Sequence, residues 1–235
     1  MRLAIMQPYF FPYLNYFQLL HAADVFVIFD DVNFINRGWI NRNNILLNNN
    51  KHLITVPLVK ATQNKLIKDM ELADQTNWSA KFLKILSHAY SRAPEFQAVF
   101  PGIENLVRAP HKSISELATA SIEFVRNYLG METKIIHSSQ LDYDRDKKGQ
   151  DKIIAICELL NAEVYINPIG GVELYTQDAF KTRGLELFFL KGEDYRYPQF
   201  SDKDFVPHLS MIDALMFNPK DELAKLMTLY TLDAA

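Results

Sequence analysis

The chain has 235 residues, 49% of them hydrophobic, which is enough for a real core in one large domain or in a domain carrying an insert. A net charge of −3 provides no global positive field, so no nucleic-acid partner is expected. The single cysteine, Cys157, lies in the apolar helical pattern IIAICELL, where it packs as a small hydrophobe, excludes an internal disulfide and fits a reducing compartment. Leu3 to Met6 is too short for a signal-peptide core, and no apolar run approaches the roughly 18 residues of a membrane span. A soluble, cytoplasmic protein is the expectation.

The opening reads as strand (Leu3 to Met6), an aromatic and proline-rich turn, helix (Leu14 to Ala23) and a second strand (Val25 to Phe29). ILL, Asn48-Asn49-Asn50 and HLITVPL read as a β-hairpin, because Asn tolerates the positive φ of tight turns. Leu66 to Ala73 partly alternates and is predicted as a further strand. A helical insert at 74–130 follows: one helix capped by Asn77 or Ser79 and running to about Ser91, one opening at Pro94 and interrupted or bent at Pro101-Gly102, and one begun by the capping-box pair Ser113 and Glu116 and stopped at Gly130. Strand and helix then alternate: Thr133 to His137, Asp151 to Leu160, Val164 to Ile166, a helical turn over Tyr175 to Phe180, and Leu185 to Leu190. Two helical pieces, about Ser210 to Asn218 and Pro219 to Tyr230, close the chain. The predicted class is a single α/β domain over 1–235, with an open, mostly parallel Rossmann-like sheet of roughly five parallel-type strands, a small antiparallel patch and the helical insert.

In such sheets ligands bind beyond the carboxyl ends of the strands, so the polar residues at strand ends are the site candidates. Gln7 and Tyr9 follow the first strand. Asp30 and Asp31 end the second and could grip hydroxyls, bind a metal or act as a base, or could simply start a turn. Arg37, Trp39, Asn41, Arg42 and Asn43 form a polar loop whose guanidinium forks suit phosphate or carboxylate and whose indole can stack on a ring. Asn167, Gly170, Gly171 and Tyr175 could bring backbone N–H groups to a phosphate, although the full dinucleotide fingerprint is absent. His208, Ser210 and Asp213 read equally as a proton-transfer pair or as a helix cap. The six histidines show no metal-ligand spacing, and neither CxxC nor GxSxG occurs.

Three of these stretches, QPYFFPYLNYFQLLHAADVFVIFDDVNFINRGWINRN, YINPIGGVELY and HLSMIDALMFN, resemble the signatures of the WbqC-like family. Asn15 stands where that family usually has glycine. The resemblance implies an enzyme of bacterial surface-polysaccharide (O-antigen) synthesis, for which transfer of glycine onto an amino sugar has been proposed. The strand-turn-helix opening also resembles the nucleotidylyltransferase superfamily, but Leu14 and Phe17 occupy the places of its two phosphate-stabilising histidines.

Three readings stay open. The first is acyl transfer to a nucleotide-linked amino sugar, with His208 as base oriented by Asp213, Asp30 or Asp31 on hydroxyls or the amine, and the arginine loop and glycine pair on phosphate. The second is an ATP-dependent ligase or nucleotidyltransferase relative using Mg²⁺ held by the aspartates. The third is a non-catalytic nucleotide-sugar-binding module. No other cofactor is implied, and an oligomer is compatible with each.

Overall fold

The structure is a computed structural model that describes residues 1–201 and 205–234. β1 (Arg2–Met6) leads through a turn to α1 (Leu14–Ala22) and β2 (Val25–Ile28). β3 (Arg42–Leu47) and β4 (Asn50–Thr55) form the antiparallel hairpin, with Asn48 and Asn49 at φ 51° and 59° in its turn. α2 (Gln75–Tyr90), α3 (Phe96–Arg108) and α4 (Ile114–Leu129) precede β5 (Lys134–His137). Then come α5 (Gly149–Leu159), β6 (Val164–Pro168), α6 (Gln177–Lys181), β7 (Glu186–Gly192), α7 (Met211–Phe217), α8 (Lys220–Leu226) and β8 (Tyr230–Ala234).

The six-stranded sheet runs β5-β2-β1-β6-β7-β8, parallel except for β8. Counting only the strands of this sheet, the order is 3-2-1-4-5-6, that of doubly wound nucleotide-binding sheets, and the chain reverses direction across the sheet between β1 and β6. Alternate residues serve the two faces. Ala4, Phe26, Ile28 and Ile166 join α1–α4, α7 and α8 in one apolar cluster. Leu3, Ile5, Val27 and Tyr165 join α5 and α6 in a second. This two-sided burial explains why the central strands are continuous apolar runs. Among the described residues, no helix is long and apolar enough to cross a membrane.

Local chemistry sets the helix ends. Asp74, with φ 43°, caps α2 by accepting from Asn77 N–H, so the helix starts earlier than Asn77 or Ser79 would place it. Ser113 accepts from Glu116 N–H at 3.2 Å, while the Glu116 carboxylate takes the Lys112 N–H at 2.7 Å instead of the Ser113 N–H. Replacing Ser113 with alanine is expected to cost about 1 kcal/mol in a urea denaturation experiment. Gly130 closes α4 at φ 71°. α3 passes through Pro101 without a break, and Gly102 is needed there because a Cβ would lie 2.5 Å from the Phe124 ring on α4.

Two predicted elements differ. Residues 66–73 form no regular strand: Ile67–Asp69 is a 3₁₀ turn. Ile67 and Met70, three apart, are both buried, and the flanking pairings Asn33–Leu66 and Leu58–Leu72 are isolated. The last residues are not all helical. β8 pairs antiparallel with β7, and Tyr230 and Leu232 turn toward the core. That strand is made by its partner rather than by five residues of local propensity.

Candidate functional site

The carboxyl rim of the sheet gathers polar side chains from separate parts of the chain. At the ends of β2 and β5, Asp30 is almost fully buried and receives five hydrogen bonds. Its Oδ2 takes His137 Nδ1 at 2.8 Å, Ser139 Oγ at 3.1 Å and Ser115 Oγ at 3.3 Å. Its Oδ1 takes the Ser139 N–H at 3.1 Å and Ser138 Oγ at 3.3 Å. Burial pushes the Asp30 pKa up, but the hydrogen bond and charge of His137, together with the two bonds from Ser139, outweigh it and hold the carboxyl below its ordinary range. Asp31 faces the other side of the sheet. It accepts from Ser138 Oγ at 2.5 Å and Tyr143 Oη at 2.7 Å, and pairs with Arg145 Nε at 3.3 Å.

After β1, Gln7 is half-buried and its carbonyl accepts from Tyr16 Oη at 2.9 Å. Tyr9 packs against Tyr16, and burial pushes its hydroxyl up to about 12. In the polar loop, Arg37 is exposed with φ 59°, and its carbonyl accepts from the Arg42 guanidinium. Trp39 is 47% exposed, with the Arg42 guanidinium carbon 6.0 Å from its ring. Asn41 and Asn43 are buried and fasten backbone: Asn41 donates to the Val56 carbonyl at 2.8 Å, Asn43 to that of Phe11 at 2.6 Å.

After β6, Asn167 accepts from Tyr165 Oη at 3.1 Å and donates to the Pro168 carbonyl at 3.0 Å. Gly170 is open on its side-chain face, whereas a Cβ on Gly171 would overlap the Asn167 amide. Gly171→Ala is therefore expected to displace Asn167 and lower stability by about 1–3 kcal/mol, read as a drop in melting temperature. Tyr175 stands beside Tyr165, their hydroxyls 3.3 Å apart.

The Ser210 segment separates into two parts. Ser210 is buried, donates to the Phe11 carbonyl at 2.8 Å and accepts from Ile212 N–H at 3.3 Å, so it caps α7 and ties it to the first turn. Asp213 is fully buried and accepts from Gln199 Nε2 at 2.7 Å, Tyr197 Oη at 2.8 Å and Tyr90 Oη at 2.9 Å. Burial raises its pKa to about 6 against the pull of these three donors. No hydrogen bond joins it to His208, which is exposed with φ 58°.

Two clefts of about 360 Å³ each open beyond strand ends at this rim. One, on the α5 face, includes Phe29, Tyr175 and three lysines. The other, at the end of β7, includes Asn15, Tyr195, Arg196 and His208. Tyr175 and His208 thus belong to different clefts. A larger one, about 520 Å³, lies at the opposite rim, around Asp24 and Thr133 ahead of β2 and β5.

His137, Ser138, Ser139, Tyr143 and Arg145 join the rim only through the fold. The Ser-Ser pair at a strand end was the available signal, but only the pairing of β5 with β2 brings it to Asp30 and Asp31.

Fold and rim together define a doubly wound α/β protein whose polar residues collect at the carboxyl ends of its strands. The chain belongs to the WbqC-like protein family, whose model matches residues 7–225. It is similar to the uncharacterized protein Rv1507c of Mycobacterium tuberculosis, with 26% identity over 219 residues, covering 92% of this chain and 93% of that protein. No solved structure matches it.

Proposed function

We propose that this protein transfers an acyl group, glycine in the role suggested for its family, onto the amine of a nucleotide-linked amino sugar in bacterial surface-polysaccharide synthesis. The amine nitrogen forms a bond to the acyl carbonyl carbon, the donor's leaving group departs, and a base takes the amine proton. His208, exposed at the mouth of its cleft, is the proposed base, acting without a direct bond to Asp213. Trp39, with the Arg42 guanidinium beside it, offers an exposed ring to the sugar. Asp30 and Asp31 hold the neighbouring loops in register.

The observation that carries this reading is the rim. Gln7, Asp30, Asp31, His137 and Asn167 all stand at or just past the carboxyl ends of a 3-2-1-4-5-6 sheet, within the family-matched residues. The test is to incubate the protein with a uridine-diphosphate amino sugar and a panel of activated glycyl donors, and to follow amide formation by mass spectrometry. A glycylated product supports the transferase. The strand order, shared with nucleotide-binding sheets, also favours a second reading, a ligase; product formed only from free glycine with ATP and Mg²⁺ would establish that instead. Tight binding without product from any donor would leave a binding module.

A further inference from the structure

In dinucleotide-binding sheets, the pyrophosphate sits at the first strand-to-helix turn, where glycines let it approach the backbone. That place is filled here by the protein itself. Residues 7–13 contain no glycine, and Phe10 and Phe11 are buried in the turn. The Pro12 carbonyl accepts from Met211 N–H at 2.8 Å, and Phe10 N–H donates to the Ile40 carbonyl at 3.0 Å. A phosphate-bearing substrate must be held elsewhere on the rim.

The α5-face cleft has the chemistry for it. Its apolar floor includes Phe29, Val32 and Tyr175, and Leu174, 68% exposed, stands at its edge. Lys147, Lys148 and Lys152 line the same cleft. Lys147 and Lys152 are half-buried, yet among the described residues none of the three lysines has a carboxylate within ion-pair distance. Ammonium groups not held by a carboxylate are available to a bound anion.

The cleft is also held in shape. Lys152 Nζ lies 5.9 Å from the Tyr143 ring, whose hydroxyl is fixed by Asp31. Gln150 Oε1 accepts from Thr176 N–H at 3.0 Å, tying the start of α5 to the segment after Tyr175. The geometry points to a nucleoside diphosphate site at this third strand-to-helix turn, with the base on the Phe29–Tyr175 floor and the phosphates on Lys147, Lys148 and Lys152. The choice of a nucleotide over another anion rests on the proposed transfer to a nucleotide-linked sugar.

The test is calorimetric titration of the full chain with uridine diphosphate and, separately, inorganic pyrophosphate. Lys147→Ala and Lys152→Ala are expected to bind uridine diphosphate about tenfold more weakly each. Lys84→Ala, on the exposed face of α2, is the control for loss of charge alone and should bind as the parent does. Unchanged affinity in both lysine variants, pyrophosphate binding as tight as the nucleotide, or no nucleotide binding by the parent would each overturn the site. The amide-formation assay reports on the transferase separately. Product formed at an unchanged Michaelis constant by the lysine variants would sink this site and leave that reading standing, whereas lysine-dependent binding without product would do the reverse.

Discussion

Asp213→Ala is expected to lower the unfolding free energy by about 3–5 kcal/mol, because it strands several buried donors at once. The carboxylate is 0% exposed, and both of its oxygens are engaged by Tyr90, Tyr197 and Gln199. Tyr90 also accepts from Leu46 N–H at 2.8 Å, so the network joins α2, the hairpin and α7. Gln199 reaches on to Val206 through both its amide nitrogen and its oxygen, which makes Asp213 the anchor of the segment leading to His208. Urea denaturation near neutral pH measures the loss; a change under about 1 kcal/mol would mean that the donors find other acceptors.

The same residue carries a pH signature of unusual sign for an aspartate. Burial lifts its folded-state pKa from 3.8 to about 6, so the folded chain holds this proton more tightly than the unfolded chain. The ionised group therefore costs stability at neutral pH. Acidification from about pH 7 to about pH 4.5 relieves roughly 2 kcal/mol of that cost. Asp213→Asn has no proton to bind there, so wild type should gain on it by that amount across the window. Parallel pH profiles of the two proteins would exclude the shifted pKa.

How much of this was legible in the chain follows from what each feature depends on. Leu3 to Met6 and Val25 to Phe29 could be read because strands buried on both faces stay apolar throughout. Ser113 and Gly130 could be read because a cap is made within one turn of helix. β8 could not, since its pairing comes from β7, about forty residues earlier in the chain. Asp30 and Asp31 stood out as strand-end carboxylates, yet His137 lies 107 residues from Asp30, and nothing local announces that β5 docks beside β2. Asp213 sat at the spacing of a capping box, but the helix turns its carboxylate inward to partners on α2 and on the segment after β7. Lys147 and Lys148 lie among acids between β5 and α5, and which of those charges face a cleft is decided by tertiary packing.

Asp30→Ala should be comparably damaging, by about 3–5 kcal/mol at neutral pH, because it removes the buried acceptor on which His137, Ser115 and Ser139 converge. Its opposite pH behaviour separates the two acids. Burial alone would raise this carboxyl too, but His137 and Ser139 stabilise its ionised form enough to bring the folded-state pKa below 3.8. The stabilisation is thus fully present above the unfolded value and is lost as pH falls through the lower folded one. The gap between wild type and Asp30→Ala should narrow as pH falls below about 4, in a window where Asp213 is already protonated. His137→Ala distinguishes a charge effect from simple hydrogen-bond loss. If the His137 contact provides most of the lowering, nuclear magnetic resonance titration of Asp30 in that variant should show its pKa moving up. An unmoved Asp30 would assign the effect to Ser139 and the loop backbone instead.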